Sequence, residues 1–510
     1  MLRARGFVAA GAAVALAAGL LAMSGCASLS HRAAPDSAAV NRRGPDGSTP
    51  LQWAVYRGNV AEVQRLLRAG ASVTEANDYG ATPMMLAAVK GNTAIIKLLL
   101  EAGADPESPN SDGQTALMLV ARTGNVEAAK ILLRHGAHVD ERERWRGQTA
   151  LMWASALRQP QMMELLLSHG ADVNARAAIY HYERHITAEG RAKNEDTGGL
   201  TPLLYAARDN CMACVNVLMA HHVDINLPDP DGYAPVTIAI LNANWDVAKR
   251  LILAGCDVNQ WDIYGQGPLY AAVDKGNVAS GRNPIDPPNQ ATEHEIVQLL
   301  LDRGANPNMQ LFYRPKSAGF GGFGASRGTT PLIRAAADGD VVLVKMLLAH
   351  GADVHLFQAD HETPLMAAVS GGRGGGGERN AIAVLRVLHA AGAGSDVNVL
   401  AVPHALMRTR GGTALQYATR AEWKRAMALL VSYGAKVNAK DMDGLTALDY
   451  AMGRGYVPFL SIKHAPQMDL VKVLKGLGAT VQLAKTPYWP PQGPPLGYTV
   501  YSPIVWPLGP

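Results

Sequence analysis

Apolar and polar positions alternate on a fixed schedule along most of this chain. The unit is plain at Thr82-Pro83-Met84. An Ala pair follows at Ala87-Ala88, then a polar break at Gly91-Asn92, then a second apolar stretch ending in Gly103-Ala104-Asp105. The pattern predicts two short helices joined by a tight turn, with a polar segment leading to the next unit. Thr caps the first helix by accepting an orphan N–H, and Pro at the first helical position gives up no hydrogen bond. The Ala pair lets helices approach closely, and the Gly after the second helix suits a left-handed C′ position. Leu51 and its equivalents face the core.

The unit recurs from Thr49 to Thr446 in eleven copies, and seven of the ten steps between them are 33 or 34 residues. The other steps, of 52, 63 and 50 residues, carry insertions. We place insertions near 177–198, 278–295, 309–328, 371–380 and 399–412, within a repeat region spanning 47–481 whose first and last units act as caps. Repeat five has His222 where the others have the C′ Gly, at a cost of about 1 kcal/mol. A single unit cannot bury its apolar face, so stability comes from neighbours.

Period and motif together resemble the ankyrin repeat family. The resemblance implies an all-α repeat solenoid of helix–turn–helix units with hairpin fingers, roughly 110 Å long at about 10 Å per helix layer. It also implies protein partners, held by the fingers and the inner face of the first helices. Counting the Thr as position one, position five points inward in that family. Here it is Trp53, Trp153, Tyr205, Tyr417 and Tyr450 in five of eleven repeats. Such aromatics are common contact hot spots, and the alternative is that they wedge between adjacent first helices.

The two ends differ from the repeats. Arg3 and Arg5 precede an uncharged Ala/Leu/Val run, which closes at Met23-Ser24-Gly25-Cys26. This resembles a bacterial lipoprotein signal peptide, residues 1–25, and implies cleavage before Cys26 and lipid on its thiol. Ala27 follows the Cys, which in that family implies the outer membrane and a periplasmic cell-envelope location. Residues 26–46 read as a flexible tether, and 482–510 as a Pro/aromatic-rich tail.

Composition adds little chemistry. The formal net charge is only +4 over 510 residues, which does not suggest a nucleic-acid binder. Gly319 to Gly324 spells G-x-G-x-x-G but lies in an insertion, not after a strand in a βαβ unit, so it reads as a glycine loop. Cys211 and Cys214 form a lone C-x-x-C with no second pair for zinc; buried small hydrophobes and a local disulfide are both open. His135, His169 and His350 precede the C′ Gly and suit a helix C-terminus. No catalytic, metal or cofactor motif assembles, so the chain reads as a non-catalytic scaffold. The alternative is a maturation factor for an envelope oxidoreductase using the Cys211/Cys214 pair. The insertion 309–328 carries Arg314, Lys316 and Arg327, and 399–412 carries Arg408 and Arg410, with no acid in either. These predict a positive rim, with Arg314, Lys316, Arg408 and Arg410 facing an acidic partner.

Overall fold

The computed structural model describes residues 37–183, 185–186, 192–193, 196–277, 289–315, 327–370, 377–402, 411–442, 444–453 and 466–480. Eleven helix pairs follow one another, from Pro50–Tyr56 with Val60–Arg68 to Ala447–Ala451 with Met468–Gly476. First helices stack on first helices and second on second, giving two layers over one continuous apolar core. Among the described residues, no helix is long and apolar enough to cross a membrane.

The turn chemistry is as the repeat predicts. Thr49, Thr82, Thr115, Thr149 and Thr201 each accept a backbone N–H from the first turn of the helix they open. The C′ position is left-handed throughout, and His222 takes it at φ 59° where Gly70, at φ 83°, is free of the Cβ clash. His135, His169 and His350 end their helices, and the rings of the last two reach back to the carbonyls of Leu165 (2.9 Å) and Met346 (2.8 Å).

An Asn that recurs after the second helix of repeats four to seven, nine and ten explains how those repeats lock in register. Its Oδ1 accepts the backbone N–H at the equivalent turn of the following repeat. Asn226 takes Asp257 N at 2.7 Å, Asn259 takes Asn306 N at 2.7 Å, and Asn308 takes Asp353 N at 2.8 Å. The Nδ2 of Asn259, Asn308 and Asn398 donates to the C′ Gly carbonyl of that next repeat. Orphan groups at one helix end are thus satisfied from the repeat before.

Three insertions lengthen fingers. After repeat four, Ile179–Tyr180 pairs antiparallel with Thr197–Gly198, and His185–Ile186 with Ala192–Lys193. Leu311 bonds Gly328 and Thr329 across the base of the second, and Ala401 bridges Gly412 in the third. The other two fall between the helices of repeats seven and nine. Three boundaries need correcting. Residues 293–295 open the helix Glu293–Asp302 and residues 377–380 the helix Gly377–Ala390, so these stretches are not part of the insertions. Residues 37–46 are not free tether: Val40 is 4% exposed, Asn41 donates to Gly70 O, and Arg43 pairs with Asp78 at 3.0 Å. They cap the apolar end of the first repeat.

Candidate partner-binding site

The first-helix face carries aromatics, four of them beneath a cation. Arg57 lies over Trp53 (5.7 Å), Arg208 over Tyr205 (4.9 Å), and Arg420 over both Tyr417 (4.4 Å) and Tyr450 (5.0 Å). Arg57, Arg208 and Arg420 come three or four residues after Trp53, Tyr205 and Tyr417, the helical spacing that brings side chains together, whereas Tyr450 meets Arg420 from the next repeat. Sequence reasoning found the rings and missed these partners, although the spacing is visible.

Position five divides into two kinds of site. Trp53, Trp153 and Tyr450 are half-buried, whereas Tyr205 is 5% and Tyr417 7% exposed. That corrects the expectation for the last two: they form the floor of the face, and Arg208 and Arg420 form its surface. Burial also pushes both phenols up, with Arg208 and Arg420 opposing the shift. Trp153 packs against the core, and its Nε1 is buried without an acceptor among the described residues.

The face deepens into a cleft of about 350 Å³ between the fingers of repeats four and five. Its walls are Trp145 and Arg146 on one finger and Tyr180, Tyr182 and Thr197 on the long hairpin, with Tyr205, Arg208 and Leu200 at the base. The hairpin is fixed to the preceding finger: Ala178 N donates to Arg146 O at 2.7 Å, and Tyr180 OH donates to Trp145 O. Gln148 Nε2 donates to Tyr205 OH. Arg208 is held by both oxygens of Asp209, at 3.0 and 2.9 Å.

The remaining candidates fall elsewhere. Arg314 is 4% exposed and lies near the fully buried Tyr270. It is therefore an internal charge, not part of an exposed rim, because the base of its finger folds back between repeats seven and eight. Lys316, Arg408, Arg410 and Cys26 lie outside the described residues. Cys211 and Cys214 are joined as a disulfide at the start of the second helix of repeat five, 4% and 0% exposed. Cys256 is buried, and burial pushes its thiol up to about 12, which leaves it unreactive. Among the described residues, metal-ligand character appears at Glu107, His138 and Glu141 on adjacent fingers, with the His138 ring 3.6 and 3.7 Å from the two carboxylates. Ion pairing between exposed groups accounts for that cluster.

Stacked helix pairs with a cation-capped face and projecting fingers define a helical repeat protein that presents a binding surface. The chain belongs to the ankyrin repeat family: the family model "Ankyrin repeats (3 copies)" matches residues 18–110, 103–177, 183–262, 203–311 and 289–385. It is similar to the ankyrin repeat protein YahD of Escherichia coli, 27% identical over 46% of this chain and 95% of that one. It is also similar to the B-cell lymphoma 3 protein homolog of Mus musculus, 26% identical over 36% of each chain. The ankyrin repeat domain of Bcl-3 superposes at a TM-score of 0.39, with 24% identity, over 50% of this chain and 99% of that one. The chain thus spans only about a third of its mouse relative's length. Ankyrin repeats mark a protein–protein interaction scaffold.

Proposed function

We propose that this chain is a non-catalytic binding scaffold held by a lipid anchor in the bacterial cell envelope, at the outer membrane and facing the periplasm. The observation that carries the binding role is the cleft of repeats four and five, where exposed rings stand on a floor fixed by hydrogen bonds. Exposed aromatics in a rigid frame give large contact area at small ordering cost. The anchoring rests on the run ending in Ser24-Gly25-Cys26, and the Cys211–Cys214 disulfide fits an oxidising compartment. The partner we favour is acidic, since Lys316, Arg408 and Arg410 add positive charge to the finger insertions.

The oxidoreductase-accessory reading is weaker. Thiol exchange requires attack on an accessible sulfur, and both sulfurs here are buried in a helix turn.

Two measurements test the scaffold reading. Cells fed a labelled fatty acid should label the wild-type chain and not Cys26→Ser, which should leave the membrane fraction. Equal labelling of the two removes the anchor. The mature chain, used as bait in envelope extract, should retain a protein partner whose recovery falls as salt rises from 0.1 to 1 M, about 10 to about 3 Å of screening length. Recovery of no specific partner removes the scaffold role.

A further inference from the structure

We propose that the cleft between the fingers of repeats four and five recognises an extended acidic segment of a partner protein, with a ring side chain of that segment seated among Trp145, Tyr180 and Tyr182. This deepens the scaffold reading and rests on it.

The rings come first. Trp145 is 70% exposed, Tyr182 53% and Tyr180 41%. Large apolar rings are not left in water without cost, and here only the Arg146 guanidinium, 5.5 Å from the Trp145 ring centre, is recorded stacked over one of them among the described residues. They face one another across a space at the small end of ordinary ligand sites, which run from about 300 Å³ upward. That is room for a ring and its flanking backbone, not for a helix. Proline or an aromatic residue fits such a slot, because stacked rings need little rotamer ordering.

The charge comes second. Among the described residues, Arg146 and Arg208 line the cleft and no carboxylate does. Arg142 and Arg144 are exposed on the same finger as Trp145. Three of the nearby acids are turned inward or hydrogen-bonded, while Glu141 and Glu183 are exposed. Glu143 is 5% exposed and accepts the backbone N–H groups of Trp145, Arg146 and Gln148. Asp196 accepts Tyr182 N and pairs with His181 at 2.9 Å. Asp209 pairs with Arg208. The described lining thus carries arginines and no carboxylate, and a site of this kind favours acidic partners and speeds their arrival.

The geometry is also set in advance. The bonds from Ala178 to Arg146 and from Tyr180 to Trp145 fix the two walls relative to one another, so binding orders little of the cleft.

The probe is a fluorescein-labelled repeating Asp-Glu-Pro-Tyr peptide, titrated against the full mature chain by anisotropy. Its controls are the Asn-Gln-Pro-Tyr and Asp-Glu-Ala-Ala repeats. The acidic, ring-bearing peptide should bind at least about tenfold tighter than either control. Trp145→Ala and Arg146→Gln should each weaken it about tenfold, both being exposed positions where folding is unaffected. Tyr79→Ala, which removes an exposed ring on an earlier finger, should leave it unchanged. Equal binding of the acidic and amide peptides, or an unchanged affinity in Trp145→Ala, overturns the proposal. A chain that still captures its envelope partner with both cleft substitutions loses the cleft and keeps the scaffold role. A wild-type chain that captures no partner loses the scaffold role itself.

Discussion

Replacing Arg334 with Leu is expected to lower the stability of repeats seven to nine by about 3–5 kcal/mol at pH 8, and by much less at pH 5.5. Arg334 Nε lies 2.7 Å from Asp274 Oδ1, and its Nη2 lies 3.1 Å from Asp338 Oδ2. Both carboxylates are 2% exposed, and Tyr270 is wholly buried beside them. Removing the guanidinium strands two negative charges away from water, which costs far more than the ion pair itself gains. Burial already pushes the Asp338 carboxyl up to about 7, with the Asp274 and Asp340 carboxylates adding to the rise and Arg334 holding it down. Without Arg334 the folded state would hold the Asp338 proton more tightly still. The unfolded chain releases it near its ordinary pH of about 4, so the variant loses stability as pH rises. Hydrogen exchange of the repeat seven and eight helices, at the two pH values, measures this locally in an array too long for a single unfolding midpoint. The triple change Asp274→Asn, Arg334→Met, Asp338→Asn should recover most of the loss. A loss equal at both pH values would refute the account.

Glu362→Gln is expected to stabilise the chain above pH 8 and leave it unaltered near pH 4. Glu362 stands just before Thr363, where repeats three, four and seven have Gln114, Gln148 and Gln266, so the amide suits the site. Its burial pushes the carboxyl from 4.5 up to about 8; the Asp360 carboxylate adds to the rise and Arg420 opposes it. The folded state therefore keeps a proton that the unfolded chain sheds at ordinary carboxylate pH. Stability is whole below about pH 4.5, falls as pH rises towards 8, and is level beyond. Across that window the wild-type chain should lose about 2–4 kcal/mol more than the variant. Hydrogen-exchange protection of the repeat nine helices at pH 4.5, 7 and 9 should diverge between the two chains in that order, with the variant the better protected at pH 9. Parallel curves would contradict the assignment.

The period, the caps and the left-handed glycines were legible because each is a local signal repeated many times. The locking role of Asn226, Asn259 and Asn308 was not, since their partners lie a whole repeat further along. Arg314 read as exposed because an insertion has no periodicity to show which way a side chain turns. Its burial beside Tyr270 depends on a finger folding back. The rings at position five were found, but their division into floor and surface depends on neighbours. Tyr205 is covered by Arg208 and held by Gln148, a residue of the preceding repeat. The cleft itself had only a partial signal: the insertion near 177–198 that carries Tyr180 and Tyr182 shows in the 52-residue step, whereas Trp145 sits on a finger of ordinary length. Residues 37–46 looked like linker by composition, and Val40 is the single apolar side chain that ties them down.

Each repeat touches only its neighbours, so the array transmits tension in series, like links of a chain. For a chain held at Cys26 and loaded at the cleft, the pull runs through repeats one to five and ends there. The six repeats behind carry none of it. The bonds that join the front repeats, such as Asp140 Oδ1 accepting Asp172 N and Asn174 Oδ1 accepting Asp224 N, are strained by such a load, while the Asn locks of the rear stay slack. A second partner seated on the rear fingers would then feel nothing of the first one's pull.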